Sequence, residues 1–211
     1  MASSLSVKTV RPAPDCTPPG QLVLLHGWGA NADDLLGIAP LLELPQWLMC
    51  CPDGPMQHPH RDDGRMWYDL QTPQWTGLGE SRSLVMDWLQ ALEQSTGVPL
   101  DRTILVGFSQ GAAMALDIGL QVPVAAVVML SGYLHPELTV NQDRLPPVLV
   151  IHGREDQVVP LAAAQDTQAF LGQIQAPYTY QELTMGHEIN LTAIALTRNF
   201  IQERLAAWDS P

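Results

Sequence analysis

Charge is sparse in this chain, and positive charge sparsest of all. Asp, Glu, Lys and Arg make up only 15% of residues, against roughly 25% in an average soluble protein. Ten Lys and Arg stand against 22 Asp and Glu, for a formal net charge of −12. A phosphate backbone is gripped by clustered cations, so nucleic-acid binding is excluded as a main role. Attachment to anionic lipid by charge alone is excluded with it. Cysteine is equally rare: Cys16 and the adjacent Cys50 and Cys51 form no CxxC and no zinc-ligand spacing. They read as reduced thiols of core or loop. No apolar run approaches the ~20 residues of a membrane-spanning helix; the stretch 122–130, among the longest, contains Pro123. The opening MASSLSVKTVRPAP has no apolar segment of signal-peptide length. These absences predict a cytoplasmic protein with no integral membrane segment. No repeat, low-complexity tract or linker divides the chain, so residues 1–211 are expected to form one domain.

What is present is an alternation of strands and helices. Strand-like runs occur at 21–26, 47–52, 102–108, 124–130, 148–152 and 178–183. They are short and nearly continuously apolar, as strands covered on both faces of a parallel sheet are. An earlier run, 5–10, alternates and suits a sheet edge. Helical patterns fill the gaps at 33–44, 81–95, 112–121, 161–174 and 188–208. Asn31 or Asp33 can cap the first. In the second, Leu84, Val85, Trp88, Leu89 and Leu92 mark one buried stripe. This order predicts an α/β fold, a mostly parallel, doubly wound sheet with helices on both faces. Ligands of such sheets bind beyond the carboxyl ends of the strands, so the chemistry is expected in the loops there.

One of those loops is Gly107-Phe108-Ser109-Gln110-Gly111, a G-x-S-x-G between a strand and a helical run. The motif alone is weak, and Ser109 could be a plain helix cap. Its strand-to-helix context points instead to the nucleophile elbow of the α/β-hydrolase fold, where a sharp turn exposes the serine hydroxyl. A serine nucleophile needs a base, and in that fold the order is Ser, then Asp or Glu, then His. His187, in Met185-Gly186-His187 between the last strand and last helix, is the histidine in that place. His187-Glu188 does not open a zinc HExxH helix, because position 191 is Leu. Glu155 and Asp156, after the strand 148–152, are both candidates by position for the acid that holds the imidazole tautomer. Leu25-His26-Gly27-Trp28-Gly29 follows the first strong strand, and the backbone N–H groups of Trp28 and Gln110 are the expected oxyanion hole. His26 reads as structural. His58-Pro59-His60 reads as an exposed polar loop, since no further ligand cluster accompanies it; no metal and no organic cofactor are expected.

With these residues in place, the sequence resembles the acyl-protein thioesterase and carboxylesterase family of small α/β hydrolases. Five motifs in the family's order carry the resemblance, across residues 21–208. They are LHGWG from Leu25, WYD from Trp67, GFSQGA from Gly107, HGREDQVVP from His152, and Gly186-His187. The family pattern H-G-x-x-D-x-x-V-P implies Asp156 as the acid, and the family's oxyanion donors map to Trp28 and Gln110. Two departures stand beside the site. Ala30 and Asn31 occupy positions where the family often has Asp, and the bulky Trp28 replaces a small aliphatic residue.

The resemblance implies a carboxylic-ester hydrolase acting on a small-molecule or lipid ester, and the bulk of Trp28 beside the oxyanion hole predicts a preference for short to medium acyl chains. A lipid acyl hydrolase or acyl thioesterase would use the same machinery, and an inactive binding protein is a rival from another class. The segment 131–147 is too short for a helical cap domain, which predicts an open site. Its expected cover is the loop 71–79, where Trp75 and Leu78 bracket Gly77 as candidate substrate-binding residues; the competing reading packs Trp75 on the body of the protein.

Overall fold

Alternation along the strands sorts the core into two halves, and that sorting places the site. The computed structural model describes residues 5–208. In chain order its strands and helices are β1 (Val7–Val10), β2 (Gln21–Leu25), α1 (Ala32–Leu36), β3 (Leu48–Pro52), β4 (Met56–Gln57), β5 (Arg65–Met66), α2 (Leu78–Thr96), β6 (Thr103–Phe108), α3 (Gln110–Gly119), β7 (Ala126–Leu130), β8 (Val148–Gly153), α4 (Leu161–Gln173), β9 (Tyr178–Leu183) and α5 (Leu191–Trp208). Successive strand residues point to opposite faces. Val23, Leu105, Val127 and Val150 therefore pack with Val85, Met114 and Leu171 of α2, α3 and α4. Their neighbours Leu24, Ile104, Val128 and Leu149 pack with Leu35 of α1 and Phe200 of α5. Helices on both faces of one sheet follow, as expected of the α/β-hydrolase fold.

Seven strands lie in the order β1-β3-β2-β6-β7-β8-β9. Only β1 runs antiparallel, against β3. The chain starts its parallel strands at β2, steps outward to β3, then returns to the other side of β2 to lay down β6. That reversal leaves a crevice at the carboxyl ends of β2 and β6, where Leu25 is in register with Gly107.

Several elements depart from the sequence reading, each for a local reason. The helix expected over 33–44 is split: α1 stops at Leu36, and a separate 3-10 turn covers Ala39–Leu42 with Pro40, which lacks an N–H, in its first turn. Asn31 is the cap of α1, its side chain accepting from the Asp33 and Asp34 amides. The last helix begins at Leu191 rather than 188, because Asn190 Oδ1 accepts from the Ala193 N–H at 2.9 Å and caps it there. Helix α2 starts three residues early, and its buried stripe is Ser81, Val85, Leu89 and Leu92; Leu84 and Trp88 are half-buried. Strand β9 is half-exposed rather than covered on both faces, since it closes the sheet's edge. The small β4–β5 hairpin lies where a plain loop was expected. Residues 131–147 contain no helix or strand. Among the described residues, no helix is long and apolar enough to cross a membrane.

Candidate active site

Ser109 sits at the tightest turn in the crevice. Its backbone is left-handed, φ 53° and ψ −116°, between the last residue of β6 and the first of α3. Such a φ is strained for any residue with a Cβ and persists only where the surroundings impose it. Here two glycines make room for it. A Cβ on Gly107 would come within 2.1 Å of the Gly111 carbonyl, and one on Gly111 within 2.1 Å of the Leu25 carbonyl. Strand, turn and helix can approach this closely only without those side chains. The Ser109 N–H donates to the Leu130 carbonyl at 2.8 Å, fastening the turn to the end of β7.

The loop after β2 is held on three sides. The His26 ring is fully buried. Its Nδ1 donates to the Gly27 carbonyl and its Nε2 accepts from the Gly54 N–H, both at 2.8 Å. Those partners define the neutral tautomer, and burial pushes the imidazole below its ordinary pKa. Trp67 Nε1 donates to the His26 carbonyl at 2.9 Å. The Gly29 amide is taken by the Arg65 carbonyl at 2.9 Å. The Trp28 amide has no acceptor among the described residues. Nor has the Gln110 amide, the first of α3, which precedes the helix's own hydrogen-bond ladder. Trp28 shares the wall of one cavity with Ser109, and Gln110 follows Ser109 in the chain, so both free N–H groups belong to residues next to the serine in space or in sequence.

The Gln110 side chain is a positioning element that the sequence reading missed. Its Oε1 accepts from the Trp67 amide at 2.9 Å, and its Nε2 donates to the Tyr68 carbonyl at 2.7 Å. Both bonds are buried and pin the first residue of α3 to the segment that also anchors His26. The signal available was the pairing of WYD with GFSQGA, which assigns no role to either amide.

Asp156 follows β8 and His187 follows β9, neighbouring parallel strands whose ends deliver the two side chains together. His187 Nδ1 is 2.7 Å from Asp156 Oδ2. The other carboxylate oxygen accepts the amides of Val158 and Val159 at 2.9 and 2.8 Å. Burial alone would raise the Asp156 pKa; the His187 bond and the two amides outweigh it and hold the carboxyl below its usual range. Glu155, the alternative by position, has an exposed side chain. The Phe108 ring lies 4.8 Å from the His187 ring, centroid to centroid.

Ser109 and His187 open on one cavity of about 440 Å³. Its remaining wall is chiefly apolar, with Trp28, Leu70, Trp75 and Tyr133 prominent. Trp28 forms part of that wall, and its ring is met edge-on by the His58 ring at 4.2 Å. His58 is therefore buried against Trp28 rather than exposed, because the β4–β5 hairpin folds its loop onto the loop after β2. Among the described residues, no cluster of three or more His, Cys, Asp or Glu could hold a metal ion. Trp75 lines the cavity and also packs on the body, stacked on Tyr68 at 5.3 Å. Leu78 does not line it: as the first residue of α2 it faces a separate cavity on the far side of Trp75.

A sequence model of the phospholipase/carboxylesterase family matches residues 12–205. Lysophospholipase-like protein 1 of Mus musculus is 29% identical over 66% of this chain. The chain spans a little under two thirds, 64%, of that relative's length. Acyl-protein thioesterase 1 homolog 2 of Dictyostelium discoideum is 30% identical over 68% of this chain and 72% of its own. Among solved structures, esterase PE8 superposes with a TM-score of 0.86 at 27% identity, covering 95% of this chain and 99% of that one. The Bacillus cereus carboxylesterase shares the fold, with a TM-score of 0.82 at 15% identity over 95% of this chain and 94% of that one.

Proposed function

The chain belongs to the phospholipase/carboxylesterase family and is a serine hydrolase, and from that premise we propose that it cleaves carboxylic esters through an acyl-enzyme on Ser109. The observation that carries this reading is the 2.7 Å bond from His187 to a buried Asp156, opening on the cavity where Ser109 is held in its strained turn. His187 takes the Ser109 proton as the hydroxyl oxygen attacks the ester carbonyl. The resulting oxyanion is met by the free amides of Trp28 and Gln110. Asp156 fixes the imidazole with Nδ1–H toward itself and steadies the imidazolium without taking the proton. His187 then protonates the departing alcohol, and a water attacks the acyl-enzyme by the same steps in reverse roles. Every group needed is supplied by the chain itself.

The apolar cavity wall suits an acyl chain, and Trp28 sets its limit, so short to medium chains are favoured. The same groups would cleave a thioester, and relatives carry the names acyl-protein thioesterase and lysophospholipase-like protein. Matched ester, thioester and lysolipid substrates compared by kcat/KM decide among them. The reading as a whole is tested by Ser109→Ala: hydrolysis of all three classes should vanish while the protein stays folded. Undiminished hydrolysis would refute it.

A further inference from the structure

Behind the cavity lies a second Asp–His pair that the reaction does not use. Asp117 is wholly buried in the last turn of α3. Its Oδ2 accepts from Arg82 Nε at 2.8 Å and Nη2 at 2.7 Å, and from His135 Nδ1 at 2.6 Å. Its Oδ1 accepts from Gln121 Nε2 at 2.8 Å. His135 Nε2 is 3.0 Å from the Tyr68 hydroxyl, which is 2.7 Å from the Tyr133 hydroxyl. Tyr133 is part of the wall of the Ser109 cavity. An unbroken chain of hydrogen bonds thus runs from a buried carboxylate to the hydroxyl of a residue that lines the Ser109 cavity.

The direction of every bond in this chain follows from its first member. A carboxylate only accepts, so His135 Nδ1 carries the proton. The ionisable groups facing the ring are Asp117 of α3, Arg82 of α2, Tyr68 and Tyr133. Burial holds His135 below its ordinary pKa despite Asp117, and Arg82 adds to that, so the ring is neutral and Nε2 can only accept. The Tyr68 hydroxyl must donate to it. The Tyr133 hydroxyl must then donate to Tyr68, and burial, which pushes Tyr133 up to about 12, keeps that proton in place. What Tyr133 has left is a lone pair, with no donor for it among the described residues.

We propose that Tyr133 is the cavity's hydrogen-bond acceptor and selects substrates bearing a hydroxyl near the scissile ester. This rests on the reading of Ser109 as the nucleophile of that cavity. In a wall otherwise mostly apolar, a fixed acceptor favours a donor-bearing substrate over its deoxy analogue, which would leave the oxygen unpaired. The hydroxyl can belong to the acyl chain or to the alcohol, and both place the same O–H in the cavity.

The test compares matched pairs: 4-nitrophenyl 3-hydroxybutyrate with 4-nitrophenyl butyrate for the acyl side, and 2-hydroxyethyl butyrate with ethyl butyrate for the alcohol side. In one pair the hydroxylated ester should be favoured in kcat/KM by about 2- to 10-fold, chiefly through KM, as one net hydrogen bond supplies. The pair that responds identifies the side. Tyr133→Phe keeps the ring and should bring that ratio to one or below. Tyr68→Phe, which removes the group that takes Tyr133's proton, should also lower it. A ratio of one in both pairs for the unaltered enzyme would overturn the proposal, as would a ratio that survives Tyr133→Phe. Ser109→Ala separates the two levels. If turnover vanishes there while the ratio is one, only Tyr133's role is wrong; if turnover persists, the parent reading has failed and this one with it.

Discussion

Two Asp–His pairs among the described residues have nearly equal Nδ1–carboxylate distances, 2.7 Å for His187 and Asp156 and 2.6 Å for His135 and Asp117, while His152 Nε2 stands farther from Asp156, at 3.5 Å. Their chemistry differs because their other nitrogens differ in what they face. His187 opens on a cavity shared with Ser109. His135 Nε2 is closed off by the Tyr68 hydroxyl. The carboxylates differ too: Asp156 is satisfied by loop amides at the end of a strand, Asp117 by Arg82 and Gln121 around a helix. A pair becomes a base only when its free nitrogen meets a substrate; otherwise the same geometry is a buried strut. Pairing alone therefore does not identify a catalytic histidine.

The largest effect should come from breaking the first pair. His187→Ala or Asp156→Asn is expected to lower kcat by ~10⁴ to 10⁶, with little further loss when combined with Ser109→Ala, because such groups act as a unit. Thermal unfolding should stay close to that of the unaltered protein. Near-full activity in Asp156→Asn, with the loss appearing in Glu155→Gln, would reassign the acid.

Breaking the second pair should invert that pattern. Asp117→Ala leaves Arg82 and His135 without their carboxylate. Losing one partner of a buried pair costs about 3 to 5 kcal/mol, and the lower end applies because Arg82 reaches solvent. Urea unfolding measures this, while the folded protein should keep Ser109-dependent turnover. Loss of turnover by several orders of magnitude with stability intact would make the two pairs alike after all.

Acid should separate them next. The pKa values of His135 and His26 lie below their ordinary value in the folded protein, whereas in the unfolded chain both take up protons near ~6.5. As pH falls through that value the unfolded state gains protons first. Stability is thus complete above ~6.5 and drains below it, by up to ~1.4 kcal/mol per pH unit for each histidine. Asp156, with its depressed carboxyl, adds its loss only below about 4. Unfolding curves at pH 7.5, 6.5 and 5.5 measure the slope, and His135→Asn should flatten it. Constant stability down to pH 5 would contradict the neutral, buried histidines.

The smallest effect concerns the cavity that only one pair faces. Each methylene that fits should add about 0.8 kcal/mol or less, so kcat/KM should climb up to ~4-fold per methylene and then stop. Trp28→Leu should move that stop to longer chains while sparing the shortest ester, since the backbone amide remains. An unchanged profile from acetyl to palmitoyl esters would mean that another residue sets the limit.

Much of this was legible in the sequence, where spacing along the chain carries the information. The apolar strands, the glycines beside Ser109 and the order Ser109, Asp156, His187 are local patterns, and the strands bring these three residues to one end of the sheet, at their carboxyl termini. What escaped depends on contacts between distant segments. Gln110 reads as a helix-start residue until its amide meets Trp67 and Tyr68. Asp117 lies eighteen residues from His135 and thirty-five from Arg82, and only packing closes that network. His58 looked like part of a polar loop because the hairpin that buries it has strands of two residues, too short for periodicity. Leu78 and Trp75 are near neighbours in sequence, but only Trp75 lines the Ser109 cavity, while Leu78, opening a helix, lines the cavity beside it.

The proposed mechanism stands or falls on Ser109, strained and open to the cavity, being the one nucleophile. Labelling with a fluorophosphonate followed by peptide mass spectrometry tests it directly. Ser131 provides an internal contrast: it too follows a strand with φ positive, at 51°, but it is wholly buried. One adduct per chain is expected, on Ser109, with loss of esterase activity in step with labelling and no label in His187→Ala. An unlabelled Ser109, or an adduct on Ser131 that tracks the loss of activity, would contradict it.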